Sequence, residues 1–256
     1  MLAEPSVQSL YLVAMANGQE LGSGTGFVVH HDGKPYLVTN YHVAAGRNPI
    51  TGQPRHPSGA VPDQLVVLHL LTDRTKGLSW QARFETVLTE AGGARWFEHP
   101  KRGREVDVVA LPLTELDGVE LHPYDITGTA PKLATGPASA VSVVGFPFGL
   151  TAGGAFGVWT RGFVASEIEI DFDEKPLFLI DARTREGQSG SPVLAYHPGG
   201  IAAMANGDSA AYGAGLVNLL GVYSGRVNAE SDLGLVWKLS AVQEILAAKQ
   251  QGHAGL

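Results

Sequence analysis

Short apolar runs, cut at close intervals by turn-forming residues, set the narrowest limit on what this chain can fold into. Runs rich in Val, Leu, Phe and Tyr lie at Tyr11 to Met15, Gly26 to His30, Tyr36 to Thr39, Leu65 to Leu70, Ala82 to Leu88 and Val106 to Leu111. A second set lies at Ser139 to Val144, Val158 to Ile168, Leu177 to Ile180, Pro192 to Ala195, Leu216 to Tyr223 and Leu233 to Trp237. Gly, Pro, Asp and Asn stand between them, which is the pattern of strands joined by turns, so the chain reads as all-β. The Asp32-Gly33 pair between the second and third runs is a hairpin signal, because both residues tolerate the positive φ of a two-residue turn. Six runs serve one antiparallel barrel and six another, placing a first barrel in residues 1–125 and a second in 126–256. Leu121 to Pro137, with three prolines and three threonines, is the natural crossing between them.

Only the C-terminal segment predicts a helix. Ser240 and Gln243 have capping-box spacing, and Val242, Ile245 and Leu246 repeat at helical intervals before Gly252 ends the pattern. Long inserts stand at Gly46 to Gln64 and at His197 to Gly213; the second, rich in Gly and Ala, reads as a mobile surface loop.

Composition narrows the function classes. The 256 residues and 44% hydrophobic content support a sizeable core. A formal net charge of −7 argues against a nucleic-acid binder, whose footprint is a basic surface. No cysteine is present, so disulfides, zinc–thiolate sites and thiol catalysis are excluded. The start, Met1-Leu2-Ala3-Glu4-Pro5, has no basic segment followed by an apolar run, and no apolar stretch is long enough to span a bilayer. The simplest expected address is the cytoplasm, with no membrane partner.

Three segments carry candidate chemistry. Arg185-Glu186-Gly187-Gln188-Ser189-Gly190-Ser191-Pro192 sets a serine between small residues, Leu37-Val38-Thr39-Asn40-Tyr41-His42-Val43 supplies a histidine, and Val106-Asp107-Val108-Val109 an aspartate. The chain order is therefore His, Asp, Ser, the order of chymotrypsin-like enzymes, whereas subtilisins run Asp, His, Ser and α/β-hydrolases Ser, Asp, His. Because 65 residues separate His42 from Asp107 and 82 separate Asp107 from Ser189, only a fold can bring them together. An α/β-hydrolase elbow wants glycine where Ser191 stands and a helix where Pro192-Val193-Leu194 reads as strand. Gly22-Ser23-Gly24-Thr25-Gly26 could pass for a phosphate cradle, but it precedes a strand instead of opening a helix.

With Gly22 to Val29, the Asp107 strand, Val144-Gly145-Phe146-Pro147-Phe148-Gly149 and the serine loop in this order, the chain resembles a trypsin-like serine peptidase of the chymotrypsin superfamily, in its cysteine-free bacterial style. The resemblance implies two six-stranded antiparallel barrels with a C-terminal helix. It implies Ser189 as nucleophile in preference to Ser191, His42 as base and Asp107 as its orienting partner, with no metal or other cofactor. Gly187, two residues before the serine, would give an oxyanion-hole N–H together with that of Ser189. The specificity pocket would have Arg183 at its floor with Thr184 beside it, Ser224, Gly225 and Arg226 along its edge, and Gly234 on the far wall. Two arginines there would favour a substrate carboxylate, unless they face solvent or pair with Glu186 and Asp232. Gln188 replaces the aspartate that captures a new N-terminus in trypsin-type zymogens, so that activation switch is absent. The expected partners are a protein or peptide substrate and a separate regulatory or substrate-delivering protein. The alternative is a catalytically silent, protease-like interaction module on the same fold.

Overall fold

The computed structural model describes residues 2–75, 77–228 and 230–254. After a single helical turn, α1 (Pro5–Gln8), the first half runs β1 (Ser9–Ala16), β2 (Gln19–His31), β3 (Lys34–Thr39), α2 (Tyr41–Ala44), β4 (Gln64–Leu70), β5 (Trp80–Thr86), β6 (Phe97–Glu98) and β7 (Val109–Pro112). The second half runs β8 (Ala140–Gly145), β9 (Val158–Val164), β10 (Leu177–Ala182), β11 (Pro192–His197), β12 (Gly200–Ala203), β13 (Ser209–Tyr212), β14 (Leu216–Arg226), β15 (Leu233–Lys238), α3 (Leu239–Ala248) and β16 (Gln250–Gln251). All twelve expected runs contain strands, and the protein is mostly β.

The second half closes as a six-stranded barrel in the order β10-β15-β14-β11-β8-β9. The first half is an eight-stranded sheet, β16-β6-β7-β3-β2-β1-β4-β5. Its six expected strands are joined by two two-residue strands, one of them from the C-terminal tail, where Gln250 pairs with Glu98. Asp32 and Gly33 have φ of 49° and 70°, as the predicted tight turn between β2 and β3 requires. An apolar cluster joins the halves: Phe27, Val38 and Val108 pack with Val144, Leu194 and Trp237, and the helix adds Val242, Ile245 and Leu246.

Three local expectations change. The helix starts at Leu239, with no side-chain cap at its N-terminus, and ends at Ala248, with Lys249 in the left-handed region at φ 48°. The Gln243 side chain does not close a capping box; its Nε2 donates to the carbonyl of Ile126 at 2.6 Å. The expected loop of residues 197–213 contains the hairpin β12–β13. An Asx turn at its tip, where Asp208 N–H donates to Asn206 Oδ1 at 3.1 Å, and Gly207 at φ 88° reverse the chain. The run to Ile168 ends as strand at Val164, beyond which the Ala165 N–H donates to Leu179 O at 2.8 Å and Ser166 Oγ accepts the Leu179 N–H at 2.9 Å.

Candidate active site

His42 sits on α2, the single helical turn that follows β3, and Asp107 sits in the turn two residues before β7. Since β3 and β7 are neighbours, pairing Thr39 with Val109, the two side chains emerge side by side. Asp107 Oδ2 lies 2.6 Å from His42 Nδ1, and Oδ1 accepts the His42 backbone N–H at 2.9 Å. The carboxylate therefore fixes both the ring and the helical turn that carries it. The Asn40 side chain donates to the Asp107 carbonyl at 2.6 Å, holding the aspartate turn against the histidine turn. Both partners are nearly excluded from water, the side chains being 9% exposed for His42 and 5% for Asp107. Ion-assisted hydrogen bonds are strong in such surroundings.

A third donor reaches the same carboxylate from the barrel. Ser224 Oγ donates to Asp107 Oδ2 at 2.6 Å, from the far end of β14. The sequence places Ser224 at a pocket edge; the structure places its hydroxyl on the aspartate. No spacing rule links residues this far apart, so only the fold exposes the contact.

The serine loop consists of two overlapping turns. Gln188 N–H donates to Arg185 O and Ser191 N–H to Gln188 O, at 3.2 and 3.0 Å. Gly187 and Gly190 occupy the third position of each, with φ of 88° and 87°, the conformation that type II turns demand there. Ser189 is thereby left at a partly exposed corner, while Ser191 is fully buried. The buried Gln188 ties the loop from beneath, its Oε1 accepting the Arg185 N–H at 2.8 Å and its Nε2 donating to Thr160 Oγ1 at 2.9 Å.

Thr25, within the glycine-rich block, is the second anchor. Its hydroxyl donates to Gly187 O at 2.8 Å, and its N–H donates to Ser189 O at 2.8 Å. Glycine at 24 and 26 lets other groups close on this strand: a Cβ at Gly24 would stand 2.9 Å from Val43 Cγ1, and one at Gly26 2.8 Å from Leu37 Cδ1. The block that resembles a phosphate cradle is thus a bracket for the serine loop.

The Glu186 carbonyl accepts the Phe148 N–H at 2.7 Å, and Phe148 holds an unusual left-handed φ of 54° to deliver it. A trans peptide carries its C=O and N–H on opposite edges, so the Gly187 N–H points away from the 146–149 turn. Among the described residues, neither this N–H nor that of Ser189 finds an acceptor.

His42, Ser189 and Gly187 line one cavity of about 760 Å³, with Ser23, Glu186 and Phe148. Arg55, His56 and Pro57 from the long insert after α2 form another of its walls. Ser189 Oγ makes no hydrogen bond to His42 among the described residues, so the structure brings the three triad candidates to one place and bonds two of them.

Of the predicted pocket residues, none lines this cavity. Arg183 is 84% exposed and lies 3.9 Å from Asp232, the ion-paired alternative to a pocket floor. Thr184 is fully buried, and its Oγ1 lies 2.5 Å from the Tyr223 hydroxyl. Gly225 and Arg226 form the outer end of β14, paired with Leu235 and Gly234 of β15. A cavity of about 590 Å³ beside Lys132 and the β12–β13 hairpin lies away from His42 and Ser189.

An antiparallel barrel packed on a second sheet, with His, Asp and Ser converging between them in that chain order, defines the class of chymotrypsin-like serine peptidases. The trypsin-like peptidase domain family matches residues 24–204, and the chain belongs to that family. No curated protein matches it in sequence. Among solved structures it is similar to a serine endoprotease from Yersinia pestis, at a TM-score of 0.52 and 15% identity over 95% of this chain. This chain spans 62% of that enzyme's chain. It is also similar to the protease Rv3671c of M. tuberculosis, at a TM-score of 0.50 and 20% identity, covering 96% of this chain and 89% of the other. Deg5 is a further neighbour, at a TM-score of 0.51 and 20% identity, with 93% and 86% covered. These likenesses establish the fold. No helix among the described residues is long and apolar enough to cross a membrane.

Proposed function

We propose that the protein is a serine endopeptidase that hydrolyses peptide bonds through an acyl-enzyme. The observation that carries this reading is the His42 ring held by Asp107 at 2.6 Å in the cavity that Ser189 also lines. With Nδ1–H committed to Asp107, the opposite nitrogen, Nε2, is left as the base. It takes the Ser189 proton as Oγ bonds to the carbonyl carbon, then returns that proton to the amine as the C–N bond breaks. Water, deprotonated by the same nitrogen, releases the acyl group and restores Ser189. Asp107 stabilises the imidazolium formed in each step. Negative charge on the carbonyl oxygen would meet the uncommitted N–H groups of Gly187 and Ser189, a donor of this kind contributing about 2.7–4 kcal/mol to the transition state.

The chemistry as read uses side chains and backbone donors alone. The substrate is a protein or peptide, brought by diffusion or by a separate delivering protein. A cysteine-free chain suits the cytoplasm, where thiols stay reduced and disulfides give no support. The silent-module reading draws on one observation, the missing bond between Ser189 and His42. Both readings are separated by reaction with a serine-directed fluorophosphonate: the peptidase reading requires labelling that Ser189→Ala and His42→Ala each abolish, and the silent module requires none.

A further inference from the structure

We propose that Tyr223 closes the pocket for the substrate side chain on the acyl side of the scissile bond, so that the enzyme cleaves after glycine, alanine or serine. This rests on the peptidase reading above and names its substrate class. The family resemblance would set the pocket between Thr184 on one side and Gly234 on the other, under the edge formed by residues 224–226. The Tyr223 ring spans this space. Its hydroxyl lies 2.5 Å from Thr184 Oγ1, and its Cε2 lies 2.8 Å from the point where a Cβ on residue 234 would stand. Glycine at 234 is what admits the ring.

Tyr223 does not swing freely. It is 2% exposed and belongs to the barrel core with Val143, Phe178, Ile180, Val193 and Val236. Moving the ring aside would break the bond to a fully buried threonine and leave the tyrosine hydroxyl without its partner in an apolar interior, which is costly. Interiors packed at crystal density yield little to an entering side chain, so the ring acts as a fixed floor. Arg183, the residue expected at the floor, turns outward to Asp232 instead. None of Arg183, Thr184, Gly225, Arg226 or Gly234 lines the cavity beside Ser189. What remains for the acyl-side residue is a shallow recess, suited to a side chain of one or two heavy atoms.

The test is a cleavage profile on peptides that vary only at the residue before the scissile bond, read as kcat/KM and run beside fluorophosphonate labelling of Ser189. The wild-type protein is expected to favour Gly, Ala and Ser over Leu, Phe, Lys and Glu by about tenfold or more, the discrimination that a few methylenes can give. Tyr223→Val, which removes the ring, is expected to raise Leu and Met relative to Ala by on the order of tenfold. Tyr223→Phe, which keeps the ring and loses only the hydroxyl, should retain the preference for small residues. A wild-type preference for large or charged residues would overturn the proposal, as would a folded Tyr223→Val with an unchanged profile. If Tyr223→Val fails to fold, the wild-type profile still decides. A protein that labels at Ser189 but prefers large residues refutes the closed pocket alone; one that never labels refutes the peptidase reading and the substrate class with it.

Discussion

His69 makes the folded protein sensitive to acid, and replacing it should remove a calculable part of that sensitivity. It takes an inward position on β4, two residues after Val67, and is fully buried, with neither ring nitrogen meeting a partner among the described residues. Burial, with the Arg83 charge as a lesser cause, pushes its pKa from 6.5 down to about 4. Between those values the unfolded chain binds a proton that the folded state refuses, so unfolding takes up protons and stability falls as pH falls. At 1.36 kcal/mol per pH unit, the fall from 6.5 to about 4 amounts to about 3 kcal/mol, fully lost by about pH 4 and absent as a penalty above 6.5. His69→Met keeps an apolar side chain of similar reach and cannot titrate. Urea unfolding of both proteins, followed by tryptophan fluorescence at about pH 7 and about pH 4, isolates the effect because every other titrating group is common to the pair. The wild-type protein should lose about 3 kcal/mol more than the variant over this range. Parallel pH profiles would refute the reasoning, showing that His69 is solvated or protonated inside the fold.

Two further substitutions probe the supports of the site. Ser224→Ala withdraws one donor from the Asp107 carboxylate and should lower kcat by on the order of tenfold to a hundredfold, since a hydrogen bond to a charged group is worth about 1.5–3 kcal/mol; unchanged kcat would show the contact to be idle. Gly190→Ala would set a Cβ 2.0 Å from the Thr25 carbonyl oxygen in a conformation with φ of 87°, and should destabilise the fold by about 3 kcal/mol or more in urea unfolding, where a loss below about 1 kcal/mol would contradict the packing described.

Much of the β framework was legible because its signals are local. The apolar run Leu65 to Leu70 that became β4, and the tight turn with positive φ at Asp32 and Gly33, are written in neighbouring residues. The β12–β13 hairpin was missed because its short strands, Gly-Ile-Ala-Ala and Ser-Ala-Ala-Tyr, are half alanine and show little hydrophobic contrast, and its turn depends on an Asn206–Asp208 contact that composition alone reads as loop. The capping box did not close because Gln243 found a partner in Ile126, far outside its own segment. At the site, the order of His42, Asp107 and Ser189 was readable, being carried by short strings of residues. Its supports were not: Thr25 on the serine loop, Ser224 on Asp107 and Tyr223 against Thr184 each join positions distant in sequence. Which of the two readings of Arg183 holds was not legible for the same reason, since its ion partner Asp232 stands on another strand connection.

Intact-mass analysis of the protein after reaction with a fluorophosphonate, followed by peptide mapping, decides whether Ser189 is the nucleophile. One adduct per chain is expected, on Ser189 and not on Ser191, formed by the wild-type protein and lost in both Ser189→Ala and His42→Ala. An adduct on another residue, labelling that survives the His42 substitution, or a folded wild-type protein that takes up no label would contradict it.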